Sequence, residues 1–326
     1  MLDLLNSTQF IIKEAVEKLG YSDAMYELLK EPLRIITVRI PVRMDDGSTK
    51  IFIGYRSQHN DAVGPTKGGV RFHPEVNEKG SKSTINVDEF KVRYFFDLPY
   101  GGGKGGIVCD PRSMSSFELE RLSRGYVRAI SQIVGPTKDI PAPDVFTNPQ
   151  IMAWMMDEYS RIQEFDSPGF ITGKPIVLGG SQGRETATAT GVTICIEEAA
   201  KRKGIPLRDA RVIIQGFGNA GSYLAKFMQD AGAKVIGISD ALGALYDPEG
   251  IDIDYLLERR DSFGTVTNLF KKNVITNQEL LEKKNVKFLF LLRSPTKLRA
   301  RMQIVLKLKL LSRLRMDQQR LKQQTY

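Results

Sequence analysis

The 326-residue sequence is poor in the residue types that build disulfide scaffolds and metal sites. Its two cysteines, Cys109 and Cys195, exclude a disulfide framework and a cysteine-rich zinc site. Its two histidines, His59 and His73, do not stand at the spacing of metal ligands, so we predict no metal centre. No apolar run approaches the roughly 18 residues of a membrane-spanning helix, and the acid-containing N-terminus differs from a signal peptide. We therefore expect a soluble, cytoplasmic protein.

Acidic residues and glycine are almost absent from the last 43 residues. Positions 284–326 contain 12 Lys/Arg, one acid and no glycine, whereas positions 1–283 carry 35 basic and 37 acidic residues and all 29 glycines. The net charge of +9 therefore belongs to this basic tail. One interpretation is a segment that binds nucleic acid or a membrane surface. We favour another, in which translation out of frame produces the change of composition.

The first half combines helical and β-type patterns. The N-terminus has helical spacing with Ser7 as a candidate N-cap, and its predicted buried stripe is Phe10, Ile11, Val16 and Leu19. Two β-rich runs joined by Asp45-Asp46-Gly47 predict a hairpin. A later helical pattern begins with a capping box from Ser115 to Glu118. A Gly- and Pro-rich stretch at 160–175 then indicates a domain boundary.

The second half alternates helices and strands around a glycine-rich turn. Predicted helices at 191–203 and 220–231 alternate with strands at 212–215 and 235–239, an order typical of a parallel sheet. In the segment IQGFGNAG, Gly216 allows a tight turn, Gly218 lets a pyrophosphate approach the backbone, and Gly221 permits close packing of helix on strand. Asp240 follows the next strand, where an acid would accept hydrogen bonds from ribose hydroxyls and favour NAD over NADP. The alternative is a glycine-rich turn without a ligand.

Two lysines lie in glycine-rich segments, Lys67 in GPTKGGVRF and Lys104 in LPYGGGKGGIVCDP. Flanking glycines let a small substrate approach the backbone closely. A lysine there can hold a carboxylate or, near a second cation, act as an acid or base. In DIPAPDV, prolines hold Asp144 in an extended segment that suits proton transfer. The alternatives are surface lysines in flexible turns and a turn-capping aspartate.

These motifs, together with GGSQGRETATATGV, resemble the glutamate dehydrogenases of the amino-acid dehydrogenase superfamily. The resemblance implies that Lys104 activates the water that attacks the imine carbon and that Asp144 carries protons to and from the amino nitrogen. It implies that Lys67 binds the side-chain carboxylate of the substrate. Arg184 and Thr188 match residues that face the nicotinamide end of the cofactor, and Asn219 lies in the cofactor turn.

The resemblance also implies an α/β fold and an activity. It predicts a substrate-binding and oligomerisation domain with a mixed sheet at 1–175, a Rossmann-like doubly wound NAD domain at 176–283, and an atypical tail at 284–326. The implied reaction is oxidative deamination of L-glutamate to 2-oxoglutarate and ammonium with NAD. A hexamer is the implied assembly, and nucleic acid is not an expected partner.

Two segments depart from the family pattern. Between 78 and 97 the family has a helix ending in Lys-Cys-Gly, whose lysine holds the α-carboxylate; here Val92 takes that position, and Lys91 is the candidate substitute. After about 283 the family motifs stop, although Val286 to Leu292 still predict one more strand. We therefore expect an incomplete nucleotide domain. The alternative functions are a catalytically inactive remnant and a scaffold with a nucleic-acid-binding tail.

Overall fold

The computed structural model describes residues 4–77, 98–261, 265–270, 274–283, 285–291 and 310–313. The chain forms two compact units, Met1–Gln182 and Gly183–Tyr326. The domain limits drawn from sequence remain predictions. Lys91 lies outside the described residues, as does the whole segment 78–97.

The first unit is built on a mixed five-stranded sheet in the order β1-β2-β4-β3-β5. Its strands are β1 (Arg34–Arg43), β2 (Thr49–Gln58), β3 (Thr66–Phe72), β4 (Gly101–Ile107) and β5 (Asp139–Pro143). Strands β1, β2 and β4 pair antiparallel, while β4, β3 and β5 run parallel. The predicted hairpin is confirmed between β1 and β2, and Gly47 adopts the left-handed φ of +85° that its turn requires.

Four helices of the first unit are described: α1 (Leu4–Lys18), α2 (Asp23–Lys30), α3 (Ser116–Ile130) and α4 (Pro149–Gln163). The capping box of α3 is confirmed, since Ser115 and Glu118 bond each other's backbone N–H groups. Helices α3 and α4 contribute to one core with the sheet, and its fully buried members include Phe72, Ile107, Leu122, Tyr126 and Met152.

The predicted face of α1 is wrong. The helix already includes Leu4, so Ser7 lies inside it rather than at its start. Of the predicted stripe only Val16 is buried, while Phe10, Ile11 and Leu19 are exposed. The buried side chains are Thr8, Ile12 and Val16, which recur at the four-residue spacing of one helix face. The helix has apolar residues on more than one side, and packing selects the face with a threonine.

The second unit has a sheet in the order β11-β10-β6-β7-β8-β9. Its strands are β6 (Arg211–Gln215), β7 (Lys234–Ser239), β8 (Ala244–Tyr246), β9 (Val274–Ile275), β10 (Phe288–Leu291) and β11 (Leu310–Arg313). The first four strands of that order run parallel, and β8 and β9 are antiparallel additions. The predicted parallel sheet is therefore confirmed, and so is the extra strand near 286–292, as β10.

The helices of the second unit are α5 (Ala187–Arg202), α6 (Asn219–Asp230), α7 (Ile253–Arg259) and α8 (Asn277–Leu281) among its described residues. The β6–α6–β7 succession gives the predicted strand–turn–helix–strand unit around the glycine motif. None of the described helices in either unit combines the length and the apolar character that a membrane span needs.

Candidate active site

One face of the first sheet collects three cationic side chains. Side chains alternate along a strand, and Val70 and Phe72 of β3 point into the core. Lys67 and Arg71 therefore share the opposite face. Lys104 of β4 also lies on that face, because Ile107, three residues further along the same strand, points into the core.

Asp144 lies between two of these cations. Its Oδ2 accepts a hydrogen bond from Lys104 Nζ at 2.6 Å, and its Oδ1 accepts one from Arg71 Nε at 2.6 Å. The side chains of Lys104 and Asp144 are only 8% and 14% exposed. Charge-assisted bonds this short are strong when water is largely excluded. The structure thus brings together Lys104 and Asp144, two residues that sequence reasoning had proposed separately, and adds Arg71.

The charges around Asp144 decide its protonation state. Burial alone would raise the pKa of this carboxyl, but the charges of Lys104 and Arg71 outweigh burial and hold its pKa well below the usual range. The loop that carries it is fixed by Thr147, whose hydroxyl accepts from Asp144 N at 2.7 Å. Phe146 has a left-handed φ of +59°, a strained conformation for this residue type. Asp144 is therefore held as an anion in a tightly constrained turn.

A buried ion pair lies beneath the glycine-rich strands. Arg56 of β2 and Asp139 of β5 are both fully buried. Arg56 Nε donates to Asp139 Oδ2 at 2.7 Å, and Arg56 Nη1 donates to Gly68 O at 3.2 Å. Gln58 Nε2 adds a bond to Asp139 Oδ2 at 2.8 Å. This network connects β2, β3 and β5 below the sheet face that carries the lysines.

The ion pair explains why glycine fills β4. A Cβ at Gly103 would lie 2.9 Å from Asp139 Oδ1, and a Cβ at Gly105 would lie 2.5 Å from Tyr126 Oη and 3.1 Å from Arg56 Nη1. A Cβ at either position would therefore force these buried side chains to shift. The repeated glycines therefore make room for the charges underneath as well as for the Lys104 surroundings.

Lys67 is oriented by a loop from the far side of β5. Its Nζ donates to Thr172 Oγ1 at 2.7 Å. Thr172 is in turn held by its backbone N–H, which donates to Pro141 O at 3.1 Å. Lys67 is half-buried, so its ammonium keeps access to solvent and to a ligand.

The glycine turn of the second unit has the geometry that a phosphate-binding turn needs. Gly216 adopts a φ of +103°, and its N–H donates to Ser239 O on β7 at 2.9 Å. Gly218 is the N-cap residue of α6, so no side chain caps this helix start. A Cβ at Gly218 would stand in open space. Gly221 is buried within α6. The backbone N–H groups at this helix start can therefore be approached by an anion.

Asn219 ties the same turn to the segment before α5. Its Nδ2 donates to Glu185 O at 2.9 Å. Arg184 lies in the exposed turn beside Glu185, and Thr188 is exposed in the first turn of α5. Both residues thus lie on the part of the second unit that Asn219 connects to the glycine turn. Their roles toward a nicotinamide stay predictions.

Asp240 is buried and engaged by its own chain. Its Oδ2 accepts from Val266 N at 2.9 Å and Thr267 N at 2.8 Å. Its Oδ1 accepts from Leu242 N at 2.8 Å and Gly243 N at 3.2 Å, and Thr267 Oγ1 reaches both oxygens at 2.8 Å. A carboxylate offers about four acceptor positions. The predicted ribose contact stays a prediction, but it competes with a full set of internal donors.

Sequence reasoning missed Arg71, Arg56 and Asp139. Arg71 follows Lys67 by four residues in a strand, so two-residue alternation places it on the face of Lys67 and was a usable signal. Arg56 and Asp139 carry no such signal, because charged residues in strands usually face solvent. Among the described residues, no group of three or more His, Cys, Asp or Glu side chains is placed to hold a metal ion.

Comparison with known proteins gives consistent matches. Residues 32–161 match the sequence model described as Glu/Leu/Phe/Val dehydrogenase, dimerisation domain, and residues 179–295 match Glutamate/Leucine/Phenylalanine/Valine dehydrogenase. The cryptic catabolic NAD-specific glutamate dehydrogenase GudB of Bacillus subtilis is 75% identical over 283 residues, which are 86% of this chain and 66% of that protein. The NAD-specific glutamate dehydrogenase of Staphylococcus aureus (strain COL) is 69% identical over 280 residues, 86% of this chain and 67% of the relative.

A solved structure agrees with these sequence matches. The hetero-hexameric glutamate dehydrogenase of Thermus thermophilus (Leu bound form) superposes with a TM-score of 0.85 at 34% identity, over 96% of this chain and 74% of that one. This chain spans 66% of the length of GudB, slightly under two thirds. The resemblance drawn from the motifs is confirmed, and the chain belongs to the Glu/Leu/Phe/Val dehydrogenase family.

Proposed function

We propose that this chain catalyses the oxidative deamination of L-glutamate. In this reaction glutamate, NAD⁺ and water give 2-oxoglutarate, ammonium, NADH and a proton. The names of the relatives support the activity and the cofactor, because GudB and the Staphylococcus aureus protein are both called NAD-specific glutamate dehydrogenases. The site geometry supports the substrate class.

The charge of the site carries the proposal. Among the residues that the structure describes on this sheet face, Lys67, Arg71 and Lys104 are accompanied by one carboxylate, that of Asp144. These four groups leave an excess of two positive charges. Such an excess favours an anionic amino acid, because glutamate carries a net charge of −1 whereas a monocarboxylic amino acid is a zwitterion without net charge.

Lys67 is the residue to which we assign the side-chain carboxylate. Beside an alkyl side chain, an ammonium would lose hydration without gaining a partner. Beside a carboxylate it forms a charge-assisted pair. Thr172 Oγ1 accepts from the Lys67 ammonium at 2.7 Å and so orients it. A ligand for the α-carboxylate is Lys91 by our sequence prediction.

Lys104 and Asp144 supply the proton chemistry in this proposal. Lys104 activates the water that attacks the imine carbon, and Asp144 exchanges protons with the amino nitrogen. Their direct contact at 2.6 Å supports this division, because a proton can pass between groups at hydrogen-bond distance. Strand β4 carries Lys104, and Asp144 directly follows β5.

The second unit is the proposed NAD-binding domain, within the predicted limits 176–283. NAD supplies the hydride acceptor when it is bound. The open space at Gly218 and the tight turn at Gly216 fit a pyrophosphate on the start of α6. Arg184 and Thr188 are assigned to the nicotinamide end.

We also propose that the protein is a cytoplasmic homo-oligomer, with the hexamer as its form. The match of residues 32–161 to a dimerisation domain and the hexameric state in the name of the Thermus structure support assembly. Light scattering after size exclusion measures the mass directly.

Glutamate-dependent formation of NADH by the full chain tests the activity. Lys104→Met should lower kcat by about 10²- to 10⁴-fold, the usual contribution of an acid–base group, and leave NAD binding by calorimetry near that of the parent chain. Lys13→Met removes a lysine that is 56% exposed and serves as the matched control.

Two results would contradict the proposal. Substantial turnover by Lys104→Met would contradict the proposed role of Lys104 in activating the water. No turnover by the parent chain, with NAD binding retained, would instead favour the inactive remnant.

A further inference from the structure

The two oxygens of Asp144 have different partners. Oδ1 accepts from Arg71 Nε at 2.6 Å and from Val145 N at 2.7 Å, whereas Oδ2 accepts from Lys104 Nζ at 2.6 Å. One oxygen is therefore bound by a guanidinium and a backbone amide, and the other by an ammonium. Neither residue adjoining Asp144 in sequence supplies a charge, so both cations come from neighbouring strands.

The two cations differ in what they can do during a reaction. A lysine ammonium can give up a proton, whereas a guanidinium stays charged at every accessible pH. While the Lys104 proton moves, Arg71 is the partner of Asp144 that keeps its charge. Without Arg71, Oδ1 would keep the Val145 N–H but lose its charged partner, and the carboxylate would be held less firmly against rotation about its Cβ–Cγ bond.

We propose that Arg71 is a positioning residue for the reaction: by holding Oδ1 of Asp144, it keeps Oδ2 directed at Lys104 and at the substrate nitrogen while protons are exchanged. The inference rests on the proposed function of Lys104 and Asp144. Arg71 itself does not touch the reacting atoms in this proposal.

Asp144 can approach β3 closely because of the residue that β3 has at this point. Lys67 pairs with Gly102 and Val70 with Gly105, so by the same register Gly69 lies beside Lys104. A Cβ at Gly69 would meet Asp144 Cβ at 2.8 Å and Pro143 O at 2.9 Å. Glycine at this position therefore lets Asp144 come down onto the strand.

A surface ion pair without function is the simpler explanation, and it fits the geometry less well. Exposed pairs are typically worth about 0–1 kcal/mol and need no special sequence around them. Here Asp144 is 14% and Arg71 29% exposed, the bond is 2.6 Å long, and the strand has a glycine where any side chain would block the approach. Those features favour a fixed geometry over a solvated pair.

Two further side chains pack on the ring of Phe146, in the turn that carries Asp144. His73 stacks on Phe146 with ring centroids 5.7 Å apart, and the Arg112 guanidinium lies 4.7 Å from the same ring. Lys104 and Arg71 are the charges that hold the pKa of Asp144 low against its burial. Loss of Arg71 should therefore raise that pKa, because one of two opposing cations is removed.

The test compares Arg71→Gln and Arg71→Lys with the control Arg161→Gln, which removes an arginine that is 69% exposed in the same unit. We expect Arg71→Gln to lower kcat about tenfold or more, within the range for a misplaced acid–base group. The KM for glutamate should change by less than about threefold, because Lys67 is intact. Arg71→Lys keeps the charge, so its kcat should lie between those of Arg71→Gln and Arg161→Gln.

Equal kcat in Arg71→Gln and Arg161→Gln would overturn the proposal. If Arg71→Gln does not fold, Arg71→Lys decides: a kcat below that of the control with KM unchanged supports the role, and a kcat equal to the control overturns it.

A second readout does not depend on turnover. Carboxyl ¹³C resonances of aspartate-labelled chain are followed with pH, and the Asp144 signal is assigned by its loss in Asp144→Asn. In the parent the signal should remain that of a carboxylate to the lowest pH at which the chain stays folded. In Arg71→Gln its midpoint should rise by about one unit or more.

An unchanged Asp144 titration would overturn the inference even in a chain that has no activity. Absence of turnover in the parent, with the expected rise of the Asp144 midpoint in Arg71→Gln, would count against the proposed function and leave the pairing of Arg71 and Asp144 supported.

Discussion

Asp240, the acid that the dinucleotide motif assigns to the ribose, forms hydrogen bonds within its own chain. Burial alone would raise the pKa of this carboxyl, but the backbone N–H groups and the hydroxyl of Thr267 outweigh burial and lower it. The donors come from two loops, one after β7 and one before β9. The carboxylate therefore holds both loops at the end of the strand that follows the glycine turn.

Asp240→Asn should lower the free energy of unfolding by about 2–3 kcal/mol, because an amide NH₂ would face backbone donors that now bond a charged acceptor. The folded-state pKa of Asp240 is depressed, so its stabilisation is present above the unfolded-state pKa and is lost as pH falls through the folded value. Urea unfolding of parent and variant should therefore differ most near neutral pH and converge in acid.

Asp254→Asn is the matched control, because Asp254 is 56% exposed and pairs with Lys226. It should change stability by less than about 1 kcal/mol. If Asp240→Asn binds NAD more weakly while its stability is unchanged, the structural role is contradicted and the predicted contact of Asp240 with the ribose is supported.

The site was predictable from sequence where backbone constraints mark it. Lys67 and Lys104 stand out because glycines surround them, and Asp144 because prolines flank it. Arg71 needed the further step of strand alternation from Lys67. No sequence pattern predicts the contact of 2.6 Å between Lys104 and Asp144, because it depends on how separate segments of the chain pack together.

At the scale of elements, β4 lies over a buried ion pair that limits which residues the strand can contain. The buried pair of Arg56 and Asp139 fills the space beneath Gly103 and Gly105. Breaking a buried pair by removing one partner typically costs about 3–5 kcal/mol, because the remaining charge is left without compensation. The buried pair therefore favours glycine at positions 103 and 105, on the side of β4 opposite Lys104.

Gly105→Ala should destabilise the first unit by about 1–3 kcal/mol, the usual effect of forcing a methyl group into a filled core. Its Cβ would meet Tyr126 Oη at 2.5 Å, and both Tyr126 and its neighbour Arg56 are held by other bonds. Gly169→Ala is the control in the same unit, since its Cβ would meet Pro136 at an ordinary 3.4 Å. Equal urea midpoints for the two variants would contradict the account.

Prediction of elements succeeded where local signals agree and failed where packing decides. The turn at Gly47 and the capping box of α3 are local, and both are confirmed. The orientation of α1 is not local: its sequence offers several apolar sides, and the partner surface selects Thr8, Ile12 and Val16. Periodicity thus identified the helix but not its face.

At the scale of the whole molecule, the departure of sequence after about 283 does not coincide with the end of the second core. Strand β10 pairs with β6 in parallel register, from Phe288 opposite Val212 onward. Phe288, Leu289 and Phe290 are at most 2% exposed. The alternating doubly wound pattern was predictable from the β6–α6–β7 succession, but only the structure shows how deeply β10 is embedded.

A chain ending after Lys283 should therefore lose the cooperative unfolding of its second unit. It removes three buried side chains, each worth about 1.5–3 kcal/mol of burial, and leaves β6 with an unpaired edge. A chain ending after Pro295 keeps β10 and should retain that transition, so it is the matched control. Both can be compared by calorimetry and by binding of a dye for exposed apolar surface.

The first unit provides an internal reference in the same experiment. Its core is formed by the sheet β1–β5 with α3 and α4, and none of those residues is removed by either truncation. Its transition should be the same in all three chains. Equal transitions of the second unit in the chains ending after Lys283 and after Pro295 would show that β10 is dispensable. A loss in the shorter chain alone would show that the first residues of the segment after Lys283, which form β10, are needed by the second core.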